Sequence, residues 1–207
     1  MIRSATILAA GLATTTAAVA QDSYNGYETP RYTVVAQDGR YEIREYSPSI
    51  LAEVTVKSER SQALRQGFRV LAGYIFGGNT SADKVAMTTP VAQTPAENIA
   101  MTTPVTQTGE AGLWTVSFMM PREYTLDSLP TPDSNAIRFR QTPPDTQVVL
   151  RFSGWATQSR LTQHEADLRR YAIQAGLSVK EPVRHYYYDD PMTLPWKRRN
   201  EVAFSIE

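Results

Sequence analysis

The chain of 207 residues contains no cysteine. Disulfide staples, thiolate nucleophiles and every cysteine-based zinc site are thereby excluded. Histidine is nearly as scarce, with only His164 and His185 present. No G-x-S-x-G nucleophile elbow occurs, and no Gly-Lys-Ser/Thr follows Gly77-Gly78-Asn79, so neither a hydrolase signature nor a phosphate loop is written here. An excess charge is also missing. The 21 basic residues balance the 21 acidic ones, which leaves no electrostatic footprint for nucleic acid. Beyond the first twenty residues no apolar run is long enough to span a bilayer, so no transmembrane segment is expected.

Those first twenty residues read as a cleavable secretory signal. Arg3 supplies the positive start, Ala5 to Ala13 a short apolar stretch, and Ala18-Val19-Ala20 the small-residue cleavage site. An uncleaved N-terminal helix is the alternative. Cleavage would remove Arg3 and leave 20 basic against 21 acidic residues, a net charge of −1. The expected organisation is a signal over 1–20, a polar leader over 21–30 and a single domain over 31–207, in a periplasmic or secreted protein. Hydrophobic residues at 42% and charged residues at 20% are ordinary for a globular chain that holds a core without staples.

Pattern then changes along the chain. Tyr32 to Ala36, Arg40 to Tyr46 and Ile50 to Val56 read as strands, with Asp38-Gly39 as a hairpin turn between the first two. Leu64, Phe68, Leu71 and Ile75 recur at helical spacing and predict an apolar stripe on a helix over 60–76, ended by Gly77-Gly78. Val85-Ala86-Met87-Thr88-Thr89-Pro90-Val91 recurs fourteen residues later as Ile99-Ala100-Met101-Thr102-Thr103-Pro104-Val105. Two copies are too few for a solenoid and read as two extended segments. Leu113 to Met120 is a strand, and a proline-punctuated stretch holding a short strand at 136–141 marks a seam. The second half repeats the order: a strand over 146–153, a helix from about Ser159 to Ala175, a strand over 183–188 and a last strand over 201–206. Thr162 with Glu165 fits a capping box for that helix, with Thr157 as an earlier cap. His164, in a polar run, reads as an exposed helix residue. Asn79-Thr80-Ser81 is a formal glycosylation sequon.

Several segments together resemble the SOUL heme-binding protein family. They are Tyr74-Ile75-Phe76-Gly77-Gly78-Asn79-Thr80 followed by Ala-Met-Thr-Thr-Pro-Val, Ser117-Phe118-Met119-Met120-Pro121 with Tyr124-Thr125-Leu126, Leu150-Arg151-Phe152-Ser153-Gly154, Glu181-Pro182-Val183, and Pro195-Trp196 through Arg199-Asn200-Glu201-Val202. The resemblance implies an α+β fold: a distorted antiparallel β-barrel of two pseudo-repeats, each with one helix, similar to bacterial effector-binding domains. It also implies non-catalytic binding of heme or another tetrapyrrole, for buffering or transfer, in an apolar groove between the first helix and a late loop.

A porphyrin is a flat apolar disc with two carboxylates on one edge, so its site needs apolar surface and cations at the rim. The helix offers Phe68 and Ala72 flanked by Arg65 and Arg69, and the late segment offers Tyr187, Met192 and Trp196. His185 is the better of the two histidines as an iron ligand, although a plain strand-face histidine remains open and neither histidine falls inside the segments that carry the resemblance. Burying several hundred Å² of ring at about 25 cal/mol per Å² supports micromolar binding without any iron ligand, so metal-free protoporphyrin is as acceptable as heme. The competing reading has the apolar stripe and the Met-Thr-Thr-Pro-Val segments serving the core. A binder of a different apolar molecule and an enzyme acting on heme are the alternatives, the latter without a visible catalytic constellation.

Overall fold

A computed structural model describes residues 23–81 and 96–207. The expected signal and the first copy of the repeat, with Met87, lie outside the described residues. The strands in chain order are β1 (Ser23–Tyr24), β2 (Tyr27–Glu28), β3 (Tyr32–Asp38), β4 (Tyr41–Tyr46) and β5 (Ile50–Lys57), followed by helix α1 (Arg60–Ile75). Next come β6 (Asn79–Thr80), β7 (Val105–Glu110), β8 (Leu113–Met119), β9 (Thr131–Pro132), β10 (Arg138–Gln141) and β11 (Asp145–Phe152). Helix α2 (Gln158–Gln174), β12 (Val179–Tyr187) and β13 (Asn200–Ile206) complete the chain.

Nine of these strands form one antiparallel sheet in the order β10-β5-β8-β7-β12-β13-β11-β4-β3. Its internal symmetry follows from that order. Each half is a strand, a helix and two strands (β5-α1-β7-β8 and β11-α2-β12-β13), with the third strand lying between the other two. The second strands of the halves, β7 and β12, meet at the seam, Tyr187 opposite Val105 and His185 opposite Gln107. The sheet curls into a half-barrel whose edges, β10 and β3, remain unjoined. The α+β fold of two pseudo-repeats with one helix each is the one the sequence led us to expect.

Local chemistry explains the elements. The Asp38-Gly39 turn joins β3 to β4 with Gly39 at φ +57°, a conformation that costs glycine little. Helix α2 begins at Thr157, whose Oγ1 accepts from Arg160 N at 3.4 Å. Thr162 therefore sits inside the helix, and the expected box with Glu165 does not form: the Glu165 carboxylate is bonded to His185 instead.

Both helices pack on the same face of the sheet over separate cores. Leu71, Tyr74 and Ile75 of α1 cover Ala52, Val54, Val116 and Phe118, while Leu161, Leu168 and Ala172 of α2 cover Val148, Leu150, Val202 and Phe204. The stripe expected on α1 is rotated. Leu71 and Ile75 are buried, but Leu64 is half-buried and Phe68 is 38% exposed, and the helix meets the sheet through Ala63 and Gly67. Gly67 causes this, because its missing side chain lets the helix backbone settle against Val116. On α2 the correction concerns His164, which is 9% exposed rather than solvated and lies on the Phe152 ring at 4.2 Å. Ala175, the expected end of the helix, caps it and is exposed.

The opposite face of the sheet carries a buried polar network. Arg44 reaches Glu201 through two hydrogen bonds of 2.8 and 3.0 Å, with both side chains essentially inaccessible. Arg199 and the Tyr188 hydroxyl also donate to Glu201. Burial by itself would raise the Glu201 pKa, but Arg44 and Arg199 outweigh it and bring the value down to about 2. The β1–β2 hairpin closes over this network. Tyr24 packs edge-on to Tyr188 at 5.5 Å and donates to Asp189, Glu28 pairs with Arg122 at 2.7 Å, and Thr103 N donates to Glu28 O. From residue 23 onward the polar leader is thus folded against the domain.

Candidate functional site

Strand alternation divides the three tyrosines at the end of β12. Tyr187 points to the helix side, where its hydroxyl accepts from Arg60 Nη1 at 2.6 Å, whereas Tyr186 and Tyr188 point to the opposite face. The register sets Tyr187, Val105 and Phe118 side by side across β12, β7 and β8. This row lies on the helix side of the sheet, at the seam of the two halves. Arg60, the first residue of α1, ties its end together by donating to Gln158 of α2 at 2.6 Å, while its carbonyl accepts from Gln107 Nε2 at 2.8 Å. Burial dominates at Tyr187 and pushes its pKa up to about 12 despite the neighbouring Arg60, so the phenol is neutral at physiological pH.

Beside this row runs α1. Phe68 rests an edge on Phe118, with ring centroids 5.4 Å apart, and leaves the remainder of its ring to solvent. Arg65 and Arg69 are exposed on either side of it, and Ala72 is half-buried one turn later. Phe76, which the sequence reading did not select, extends this face with 64% of its surface exposed.

The late loop, residues 188–199, is held by its own hydrogen bonds. Asp190 accepts from the amides of Met192 and Thr193, and Arg198 donates to the carbonyls of Pro191 and Thr193. This leaves Met192, Leu194 and Trp196 outward, at 89%, 47% and 69% exposure. Trp155 joins them. Gly154 N donates to Pro195 O, and Arg198 lies over the Trp155 ring at 4.2 Å. Trp155 was also missed from sequence, although its place directly after Gly154 in a family-like segment was a usable signal.

The structure brings Tyr187 and α1 together directly through Arg60. It also brings the Trp155 segment to the start of α1, where Arg60 reaches Ala156 O and Gln158. Arg65, Phe68, Arg69 and Ala72 join that end only as the continuation of the same helix. His185 is placed otherwise. It is 1% exposed, its Nε2 lies 2.7 Å from Glu165 Oε1, and its Nδ1 is buried without a partner. Neither ring nitrogen faces the surface, so iron ligation by His185 would require Glu165 and α2 to move. Among the described residues, no cluster of three metal-binding side chains is present, and no helix is long and apolar enough to cross a membrane. Met101 packs against the first core and Thr102 Oγ1 donates to Met119 O, so the second repeat copy forms a structural seam. Asn79 is also internal: its amide donates to Tyr74 O and Glu97 O, which withdraws the sequon from modification.

With this geometry in place, the relatives are informative. The family profile of the SOUL heme-binding protein matches residues 27–205. The chain belongs to the SOUL heme-binding protein family. Human heme-binding protein 2 is 28% identical over 170 residues, covering 80% of this chain and 78% of its own. Heme-binding protein 1 of Xenopus laevis is 28% identical over 168 residues, covering 79% and 82%. Among solved structures, the EcmrR C-terminal domain superposes with a TM-score of 0.58 at 13% identity, covering 81% of this chain and 96% of that domain. A hydrolase from Listeria innocua gives 0.55 at 14% identity, covering 83% and 94%. At such identities these two structures establish the shared fold and nothing about chemistry.

Proposed function

We propose that this SOUL-family protein binds heme or a related tetrapyrrole without catalysing its conversion, on the helix-side surface formed by α1 and the late loop, and that it buffers or transfers its ligand in an exported compartment. The observation that carries the reading is the set of large apolar side chains left exposed there: Phe68, Phe76, Trp155, Met192, Leu194 and Trp196. They fall in two groups, Phe68 and Phe76 along α1, and Trp155 with Met192, Leu194 and Trp196 at the loop tips, and apolar groups of this size are seldom left bare without a use. Arg65 and Arg69 beside Phe68 supply cations for the two carboxylates at the rim of a porphyrin. The curated relatives, named as heme-binding proteins, support the ligand class.

The residues present fit the disc better than they fit its iron. The apolar faces and rim arginines are exposed, while His185 is buried against α2, the ring nitrogens of His164 are buried as well, and the chain has no cysteine. Binding on this surface therefore rests on ring packing and carboxylate pairing, at the micromolar level expected when several hundred Å² is covered at about 25 cal/mol per Å² before association costs.

Titration of the protein with hemin and with metal-free protoporphyrin, read by Soret absorbance and tryptophan quenching, tests this. Saturable binding of both with affinities within about threefold is expected, unchanged in His185→Ala and weakened in Phe68→Ala and Trp196→Ala by roughly tenfold, the loss of one well-packed aromatic contact. A flat titration of both ligands to tens of micromolar would overturn the function. A hemin affinity far above that of protoporphyrin, lost in His185→Ala, would replace ring packing by iron ligation.

A further inference from the structure

A cleft of about 490 Å³ opens between the β3–β4 turn, the end of β11 and the first turns of α2. It shares no residue with the tetrapyrrole surface. Arg40 comes from the turn, Arg151 from β11 and Arg160 from α2, and all three line it together with Gln37, Glu42 and His164.

The charges there do not cancel. Glu42 is held by Arg44 Nε at 2.7 Å, and Arg40 pairs with Asp167 at 3.2 Å. Arg160 donates to the Ser153 carbonyl, which leaves its charge unneutralised. Among the described residues, neither Arg151 nor Arg160 has a carboxylate partner. Two positive charges thus face one cavity with no counter-charge of their own.

His164 supplies a reporter rather than a ligand. It is 9% exposed and lines the cleft, yet both ring nitrogens lack a hydrogen-bond partner. The nearest carboxylate oxygen, on Asp167, lies 3.9 Å from Nδ1, beyond hydrogen-bond reach. Both nitrogens are also shielded from solvent, so the ring borders the cleft without offering it a donor. Burial, reinforced by Arg40 and Arg160, lowers the pKa of this imidazole, so it stays neutral at physiological pH and adds no charge of its own.

We propose that this cleft binds a small-molecule phosphate monoester, with Arg151 and Arg160 gripping the phosphate oxygens beside the His164 ring. A phosphate monoester carries a charge of about −1.5 to −2 at neutral pH, which matches the two free guanidinium groups. The guanidinium fork suits phosphate geometry, and a cleft of this volume leaves room for the esterified group. The inference is independent of tetrapyrrole binding, and the test needs no porphyrin.

The two histidines make the experiment direct, because each ring reports by NMR as a single assignable signal. Phenyl phosphate, inorganic phosphate, acetate and chloride are added separately at constant ionic strength. Phenyl phosphate is expected to move the His164 ring signals saturably in the millimolar range or below, leaving His185 unmoved, and to bind more tightly than inorganic phosphate. Arg151→Gln and Arg160→Gln are each expected to weaken this at least tenfold, while Lys180→Gln on β12 leaves it unchanged. No movement of His164 up to about 20 mM phenyl phosphate, a weaker interaction than millimolar, overturns the site. So does an equal response to chloride, or full affinity in both arginine variants. Equal or tighter binding of inorganic phosphate overturns the monoester assignment in favour of a free anion.

Discussion

Gly67→Ala is the sharpest test of how α1 is seated, because two effects of opposite sign meet at that residue. In a solvated helix the change would stabilise by about 1 kcal/mol through helix propensity. Here a Cβ at Gly67 would fall 2.6 and 2.7 Å from Cβ and Cγ2 of Val116, and 3.2 Å from Cγ1. Carbon atoms in contact sit about 3.5–4.0 Å apart, so helix and sheet must separate by roughly 1 Å. Val116 cannot turn away, since its Cβ is itself one of the clashing atoms and it lies fully buried in β8. Overpacking of this kind costs about 1–3 kcal/mol. The clash is expected to match or exceed the propensity gain, with a net loss of about 0–2 kcal/mol, lowering Tm by up to roughly 8 °C in a domain of this size. Denaturant unfolding followed by circular dichroism measures it. A double-mutant cycle with Val116→Ala provides the control: if the methyl groups are the cause, the two changes couple by at least about 1 kcal/mol in the compensating direction. Porphyrin affinity falls as well, because lifting α1 shifts Phe68 on Phe118. A Gly67→Ala protein more stable than its parent would refute this account of the helix–sheet contact.

Acid sensitivity follows from Glu201. Its pKa lies near 2 in the folded state against 4.5 ordinarily, so the unfolded chain takes up the proton first, and the stability this carboxylate contributes is present above about pH 4.5 and lost as the pH falls toward 2. Glu201→Gln is expected to flatten that part of the pH–stability curve and to cost about 3–5 kcal/mol at neutral pH, because it leaves Arg44 and Arg199 buried beside a neutral amide. Starting the chain at Arg31 removes the β1–β2 hairpin with the Tyr24–Tyr188 contact and the Glu28–Arg122 ion pair, and a loss of about 1–3 kcal/mol by urea titration is the expected outcome.

Much of the architecture could be read from the chain because its signals are local and repeated. Alternation in Tyr41 to Tyr46 and in Leu113 to Met119, the Asp38-Gly39 turn, and the glycines after each helix all act within a few residues, and the structure places strands, turn and helix ends there. The rotation of α1 escaped for a physical reason. Periodicity weighs side-chain hydrophobicity, and the residue that sets the contact, Gly67, has no side chain to weigh. His164 and Thr162 escaped similarly, since a polar run around them hides that α2 turns His164 toward Phe152 while the cap sits five residues earlier than Thr162, at Thr157.

The site residues show where local reasoning gives out. Period-two alternation in β12 was enough to separate Tyr187 from Tyr186 and Tyr188, but it could not say which face the helices cover. That depends on where β7 and β13 lie beside β12, a property of the whole sheet. The same division then assigns roles. The helix-free face is largely committed to the Glu201 network and closed by the β1–β2 hairpin, so the groups of that network are satisfied from within. On the helix side the two cores fill the space beneath α1 and α2, and what stays open is peripheral: the outer turn faces of α1 and the loop tips at Trp155 and Trp196. A flat ligand with an apolar body and a charged rim matches that periphery, because it needs breadth and edge cations more than depth. The buried histidines belong to the scaffold, with His185 joining β12 to α2 through Glu165 and thereby fixing that helix against the sheet.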